Sequence, residues 1–472
     1  MTAIKFGTDG WRAKMGKDFT FRNVRIFTQA YSNYLKQTCT TCTGSPDELC
    51  VFVNYDTRFL SEEFARESAR IFTLNGIKVL MPERDAPLAP ISLAVKRRNC
   101  CGAINFTASF NKPIYNGVKV FTKNGSPALP EVTDAIENEI QKIEKDYCFK
   151  PQYADSRLIS IVDVKSDYMD YIAQLVDLQL IRKSELKIIV DNLYGSSREY
   201  LDHILIENDI DAVSIHNFPY SAFGGVISSC GRETLTDLSR LVMREKADLG
   251  LATDIDGDRF GIVDCGGHFL SSNIIMPKLI EYLIEIKKMS GGIVKSISTT
   301  NNIRKVAEHY GRKLYTTPIG FKFLADQLEN NDAFIGVESS NGASLNKEIK
   351  IKDGILFSLL ITEMRAYYGK KMDVILKDFY LRFPRLYGRE VAVDRNEKVI
   401  QNYKKLTIEK NILFRGRKPN HVDYVDGVKF RFGDSWLLIR ESGTNPVIRI
   451  YAEATGWDGT RELIKLGRSL IE

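Results

Sequence analysis

Three stretches of this chain repeat one hydrophobic pattern, and that repetition constrains the fold more than any other feature. "ELCVFVNYDTRFLSEEFARESARIFTLNGIKVLM" reads as an apolar strand, a polar turn, an amphipathic helix, an Asn-Gly turn and a second strand. "LKIIVDNLYGSSREYLDHILIENDIDAVSI" and "GGIVKSISTTNNIRKVAEHYGRKLYTTP" follow the same order. Each opening strand is a continuous apolar run, as a parallel strand covered on both faces requires. The stride from strand to strand, about 20–26 residues, is that of a short βαβ unit. Three copies predict three related α/β/α domains with mixed sheets.

From about Phe383 the pattern changes. "YGREVAVD", "VDYVDGVKFRFG" and "SWLLIRE" alternate in a strand-like way, "VIRIYAEAT" follows, and "GTRELIKLGRSLI" reads as a closing helix. Strands grouped ahead of a last helix predict a C-terminal α+β domain. The expected domain spans are 1–150, 151–264, 265–376 and 377–472, with charged, irregular linkers around Glu144–Asp155, Asp264–Leu270 and Met372–Arg385.

Charge and composition narrow the class. The chain carries a net charge of +6, with basic residues interspersed among acids rather than gathered in blocks. That favours an anionic small substrate over nucleic acid. No apolar stretch is long enough to span a bilayer, and the opening "MTAIKFGTDGWRAKMG" has no apolar core followed by a cleavage site. The eight cysteines are sparse for the length, so a reduced, cytoplasmic chain is expected. Cys39-x-x-Cys42 lacks a second pair at zinc-ribbon spacing, and the five histidines are scattered, which argues against a zinc or histidine metal site.

The chemistry lies in a few loops. Ser109 stands in "FTASFNKPIYNGVKVF", where a strand runs into a turn-rich loop. No His adjoins it, so a hydrolase triad is not visible. In "TDIDGDRFG", Asp254, Asp256 and Asp258 alternate, and on an extended segment that spacing puts three carboxylates on one side. Three such charges repel unless a cation sits among them. The EF-hand reading fails, because Arg259 and Cys265 stand where it needs Gly and Glu. Three carboxylates with few other ligands leave room for a phosphate oxygen, which suits Mg²⁺. A solvated acidic turn is the plainer alternative, and the apolar flanks "LGLAT" and "FGIVD" weigh against it.

"RESGTNPVIR" sets backbone N–H groups and the hydroxyls of Ser442 and Thr444 between Arg440 and Arg449, with Gly443 and Asn445 in the turn. This suits a phosphate cradle, or equally an ordinary hairpin turn. "GVESSNG" offers Glu338 and Ser340 to the hydroxyls of a sugar, or is an exposed loop. Arg12 in "FGTDGWRA" and Lys322 in "TTPIGFKF" each stand by a glycine turn. Together, a magnesium site, a lone serine, basic groups and a separate cradle describe phosphoryl transfer with Ser109 as carrier. The charge of a phosphoserine, about −1.5 to −2, would be offset by Mg²⁺, Arg259 and Lys119.

In these loops, in order and over nearly its whole length, the chain resembles the α-D-phosphohexomutase family, the phosphoglucomutases and phosphomannomutases. "YDTR", "TPIGFK" and "KDG" (Lys352 to Gly354) match as well. The resemblance implies four domains around a central cleft, each giving one loop. It implies that Ser109 is phosphorylated and that Asp254, Asp256 and Asp258, with an oxygen on Ser109, hold Mg²⁺. Arg12, Lys119 and Arg259 would surround the transferring phosphate, and Glu338 and Ser340, with Lys322, would meet the sugar. Arg440, Ser442, Gly443, Thr444 and Arg449 would hold the other phosphate. The implied activity is that of an intramolecular phosphotransferase, an isomerase that interconverts hexose 1-phosphate and hexose 6-phosphate. Glucose is favoured over mannose, and a hexose 1,6-bisphosphate is both intermediate and activator. A phosphoglucosamine mutase, or a catalytically impaired sugar-phosphate-binding regulator, is the alternative. The expected partners are small sugar phosphates, with no nucleic acid and no membrane, and the expected state is a monomer or homodimer.

The chain departs from the family pattern at named positions. Phe110 stands where His usually follows the serine, and Lys112 stands where Pro is usual. Ser339 and Asn341 replace Glu and Gly of the sugar loop, and Glu348 takes the place of a frequent His. These changes bear on acid–base handling and sugar choice. Phenylalanine cannot carry a proton, so the sequence predicts a slow but real mutase.

Overall fold

The computed structural model describes residues 4–39, 49–145, 155–225, 229–408, 418–443 and 446–472. They form two compact bodies. The first joins Met1–Ser271 to Ser340–Met372, and the second joins Ser272–Ser339 to Asp373–Glu472.

The first body holds two mixed sheets. One has six strands in the order Trp11–Lys14, Tyr115–Thr122, Gly102–Phe106, Cys50–Tyr55, Lys78–Pro82, Ile159–Val162. The first three pair antiparallel and the rest parallel. The central strands Cys50–Tyr55 and Gly102–Phe106 are buried at every position, as strands with helices on both faces must be. Their two polar residues meet across the pair, where Asn54 donates to Asn105 at 2.8 Å. An aromatic core of Trp11, Phe19, Phe27, Tyr31, Phe64, Phe72 and Phe106 packs against this sheet. The second sheet runs Phe269–Leu270, Phe260–Asp264, Leu249–Thr253, Ile188–Asp191, Ala212–Ile215.

In the second body, Gly292–Ser296 lies parallel between Leu314–Thr317 and Ala333–Val337. A five-stranded antiparallel sheet follows, in the order Tyr387–Asp394, Val447–Ala454, Ser435–Glu441, Val428–Phe432, His421–Asp423. The helix Trp457–Ile471 covers it, burying Ile464 and Ile471 in its core. Three α/β units with parallel pairing and a C-terminal antiparallel sheet are the fold class that the repeats predict.

Four expectations are corrected. Asp264–Leu270 is not a linker but a tight hairpin between Phe260–Asp264 and Phe269–Leu270. The Asp264 carboxylate accepts the N–H groups of Gly266 and His268, at 2.9 Å each, so its charge makes a turn rather than a solvated tether. Most of the predicted linker Met372–Arg385 is a helix, Met372–Tyr380, whose Met372, Ile375, Leu376 and Phe379 are buried at helical spacing. A further helix, Glu397–Ile408, interrupts the C-terminal strands. Cys39 is disulfide-bonded, whereas Cys50, Cys100, Cys101, Cys230 and Cys265 are free, so the described cysteines are not all in the reduced state that their sparseness predicts. Cys42 and most of the Glu144–Asp155 linker lie outside the described residues. Among the described residues no helix is long and apolar enough to cross a membrane.

Candidate active site

The buried strand Gly102–Phe106 delivers Ser109 to a loop at its C-terminal end. Thr107 fixes the approach, for its hydroxyl accepts the Ser109 N–H at 2.9 Å and donates to Asp256 at 3.3 Å. Ser109 has φ +48°, left-handed for a residue with a Cβ. Such strain costs on the order of 1–3 kcal/mol and needs surroundings that over-determine it. Arg58 supplies them. Its side chain is fully buried and ion-pairs Asp56 at 3.3 Å. Its guanidinium donates to four backbone carbonyls of the loop: Ser109, Asn111 (2.7 Å), Lys112 (3.1 Å) and Tyr115 (3.0 Å). At position 112 the fold uses the carbonyl, which explains why Lys is tolerated there. Lysine cannot span four acceptors with a planar fork. Arg58→Lys is therefore expected to loosen the loop and lower phosphate transfer roughly 10²-fold, with a smaller fall in melting temperature than Arg58→Ala. Single-turnover kinetics and thermal melts of both variants check this.

Asp254, Asp256 and Asp258 do not lie on an extended segment. They form a tight turn after the strand Leu249–Thr253. The Asp254 carboxylate accepts the N–H groups of Asp258 and Arg259, at 3.0 Å each, and so folds the segment back on itself. Gly257, at φ +69°, takes the left-handed position, and a Cβ there would meet Ser197 and Pro87. The turn achieves what alternation was expected to do. All three carboxylates are buried, each offers a ligand oxygen, and those oxygens lie within 4.8 Å of one another. Ser109 Oγ stands 3.3 Å from Asp254.

These groups fit a divalent cation. One oxygen of Asp256 and one of Asp258 are buried without a hydrogen bond, a costly state that a metal ion would relieve. Burial, reinforced by the charges of Asp256 and Asp258, pushes the Asp254 carboxyl up; a cation among the three would reverse that pressure.

Basic groups close around the carboxylates. Lys119 projects from Tyr115–Thr122 and places Nζ 2.8 Å from both Asp256 and Asp258, and 3.1 Å from Asp9. Burial alone would discharge it, but Asp256, Asp258 and Asp9 outweigh burial and hold it as an ammonium. Lys352 reaches Asp258 at 3.0 Å. Burial opposes ionisation of Asp258, yet Lys119, Lys352 and Arg259 hold its carboxyl down at about 2. Arg259 lies 3.8 Å from Asp254 and from Asp258. Arg12 faces Gly117 across the antiparallel pair and bonds Asp9 (3.3 Å) and Asn111 (3.1 Å). Ser340 belongs to this same body, and its neighbour Asn341 accepts the Phe260 N–H through its carbonyl and donates to the Cys230 carbonyl. Asn341 is left-handed (φ 64°), a conformation that Asn, after Gly, tolerates best. Glu348 is held by Arg97 through two bonds of 2.8 and 2.9 Å.

The remaining expected residues lie in the second body. Glu338 follows the strand Ala333–Val337 and is buried; its carbonyl accepts from Ser272 at 2.8 Å. Ser339 bonds Ser298. Arg440 and Arg449 are cross-strand partners at the turn end of a hairpin, one step from where Ser442 donates its N–H to the Val447 carbonyl. Like charges set opposite each other are unfavourable, and each arginine takes a carboxylate: Arg449 pairs with Glu390, and Arg440 with Asp426 at 2.9 Å. Asp426 also accepts the Ile319 N–H at 2.9 Å. It thereby ties Arg440 to the turn ahead of Lys322, which stands in the first turn of the helix Phe321–Asn330. Gly443 is exposed at the loop tip, and Thr444 lies outside the described residues.

Asp9, Asp56, Arg58, Thr107 and Lys352 join the site without any signal of a role in the sequence. All five lie inside quoted motifs, "FGTDGWRA", "YDTR", "FTASFNKPIYNGVKVF" and "KDG", but only the pairing of distant strands shows what they touch.

Four family models of the phosphoglucomutase/phosphomannomutase type cover the chain in order. They are α/β/α domain I over residues 3–147, domain II over 166–267, domain III over 271–383 and the C-terminal domain over 389–464. A "Phosphoglucomutase/phosphomannomutase" of Thermococcus kodakarensis is 27% identical over 468 residues, 99% of this chain and 98% of the relative. A "Phosphoglucosamine mutase" of Methanococcus maripaludis is 27% identical over 377 residues, covering 78% and 80%. The crystal structure of a candidate phosphomannomutase from Thermus thermophilus superposes with a TM-score of 0.84 at 28% identity, covering all of both chains. The buried serine, the carboxylate turn beside it and the four consecutive domain matches converge on one conclusion: the chain belongs to the phosphoglucomutase/phosphomannomutase family of phosphohexomutases, isomerases that interconvert sugar phosphates.

Proposed function

We propose that this member interconverts hexose 1-phosphates and hexose 6-phosphates with Mg²⁺, with glucose as the favoured sugar and mannose as the second. The observation that carries the reading is the convergence of a buried serine, three buried carboxylates and the cations Lys119, Lys352, Arg12 and Arg259 within one body. Phosphoryl transfer needs alignment and charge stabilisation more than covalent chemistry from the protein, and these are what the residues offer. Ser109, pinned by Arg58, would carry the phosphate. In the first half-reaction the bond from Ser109 Oγ to phosphorus breaks as one forms to a hydroxyl oxygen of a hexose monophosphate, and the proton lost from that hydroxyl is balanced by the one gained at Oγ. In the second, the phosphate at the other end of the resulting 1,6-bisphosphate returns to Oγ.

Mg²⁺ held by Asp254, Asp256, Asp258 and an oxygen on Ser109 would supply Lewis-acid stabilisation of the phosphoryl charge. Arg440, Ser442, Gly443, Thr444 and Arg449 would grip the phosphate that is not being transferred, so the sugar can present either end. Glu338, Ser340 and Lys322 would meet the sugar itself. Hexose 1,6-bisphosphate would also prime an unphosphorylated serine. The domains giving these loops are read as residues 1–150, 151–264, 265–376 and 377–472, and the chain as a monomer or homodimer.

A phosphoglucosamine mutase is the second reading, favoured by the Methanococcus maripaludis relative at the same identity. Glucose, mannose and glucosamine differ at carbon 2, away from the hydroxyl pair that Glu338 would recognise. A coupled assay with the 1-phosphates of all three, with Mg²⁺ and bisphosphate primer, decides. Turnover fastest with glucose 1-phosphate is the expected result. A preference for glucosamine 1-phosphate would move the assignment to the second reading, and no turnover of any would leave a sugar-phosphate-binding relative.

A further inference from the structure

Phe110 follows Ser109 directly, and two guanidiniums of the site lie over its ring. Arg259 Cζ is 4.3 Å from the ring centroid and Arg12 Cζ is 5.6 Å. Both fall inside the reach of a cation–π attraction, about 6 Å. Arg259 and Arg12 are largely buried, with side chains 16% and 13% exposed, so the attraction is not spent against bulk water. Part of each guanidinium is already anchored, Arg12 by Asp9 and Asn111 and Arg259 beside Asp254 and Asp258 at 3.8 Å. The two like charges still need a further contact that sets their planes. A further carboxylate would take more of their N–H groups, which a phosphate also needs. A protonated imidazole would add a third positive charge. An aromatic face attracts a guanidinium through its plane and consumes no N–H.

We propose that Phe110 is a positioning residue: its ring sets Arg259 and Arg12 for the phosphate on Ser109, in place of the proton-carrying side chain usual at this position. The inference rests on the phosphohexomutase reading. It changes the meaning of the substitution, from a lost group to a different way of holding the arginines.

The test varies the ring's charge at constant shape. Phe110 is replaced in the full chain by 4-fluoro-, 3,5-difluoro- and 3,4,5-trifluorophenylalanine, and by Trp and Leu. Each fluorine withdraws electron density from the ring face. Two quantities are read. One is the single-turnover rate of phosphate transfer from glucose 1,6-bisphosphate to the dephosphorylated protein, with kcat and KM for glucose 1-phosphate. The other is the calorimetric affinity for inorganic phosphate in an Arg449→Ala background, which does not depend on turnover. Transfer rate and kcat should fall stepwise with fluorination and roughly 10–100-fold in Leu, with KM little changed. Trp should retain most of the rate, and phosphate affinity should follow the same order. Fluorinated proteins indistinguishable from wild type, or a Leu variant as fast as wild type, would overturn the proposal. If wild type accepts no phosphate from the bisphosphate, the mutase reading fails, and the phosphate-affinity series decides alone: an ordered decline supports the role of Phe110, and a flat series rejects it. A fluorinated ring nearly keeps the shape of Phe110, and thermal melts of each protein check that the fold is kept, so the series holds even if Phe110→Leu destabilises the loop.

Discussion

Replacing Ser109 with Ala should remove sugar-phosphate turnover, by a factor on the order of 10⁴ or more, as loss of a covalent carrier does in enzymes that depend on one. No neighbour can stand in. Thr107 is the nearest hydroxyl in the loop, and it is committed, accepting from the Ser109 backbone and donating to Asp256. Intact-mass measurement of freshly purified wild type should show one added phosphate, and the Ala variant none. Backbone strain gives the prediction a second arm. Ser109 is left-handed at φ +48°, a conformation that glycine adopts freely. Ser109→Gly should therefore be as inactive as Ser109→Ala yet melt at a higher temperature, because relief of strain is worth roughly 1 kcal/mol. Strain retained at the residue proposed to carry phosphate is the pattern expected where function, rather than stability, has fixed the backbone. Full turnover in Ser109→Ala would end the carrier assignment.

How much of this site can be seen in the sequence depends on how local each feature is. The βαβ stride and the apolar strands are local patterns, and they lead to the three α/β units and the C-terminal sheet. The carboxylate run is local too, so a cation site is legible, but its geometry is not. Alternation suggests an extended segment; a turn forms because Asp254 finds the N–H groups four and five residues on. The linkers fail for a related reason. Charge marks exposure, and Asp264 spends its charge capping a hairpin while Met372–Tyr380 buries one face of a helix. Arg58 lies about fifty residues from the loop that it braces, and Lys352 nearly a hundred from Asp258. Nothing in their neighbourhoods signals those contacts. Phe110 is the sharpest case. As a letter in a motif it is a missing histidine, and only the positions of Arg259 and Arg12 give its ring something to do.

Asp256→Asn should cost on the order of 10²–10³ in turnover while leaving the fold standing. The substitution is nearly isosteric and removes one negative charge from a buried group. Lys119 loses a partner at 2.8 Å but keeps Asp258 and Asp9, and Asp254 loses a charge that pushes its carboxyl up. These changes oppose each other, so the melting temperature should move little. Function should not be spared, because the charges around the site are matched. Asp9, Asp254, Asp256 and Asp258 face Lys119, Lys352, Arg12 and Arg259, four of each sign. A divalent cation alone, or a phosphoserine of about −2 alone, upsets that balance, whereas the two together restore it. Mg²⁺ should consequently bind the phosphorylated protein more tightly than the dephosphorylated one, and Asp256→Asn should weaken both. Calorimetric titration of Mg²⁺ into the two forms of wild type and variant measures this directly. Equal affinities for the two forms would break the charge argument. Turnover in excess EDTA equal to that with Mg²⁺ would go further, leaving Lys119 as the cation around which the three carboxylates are arranged.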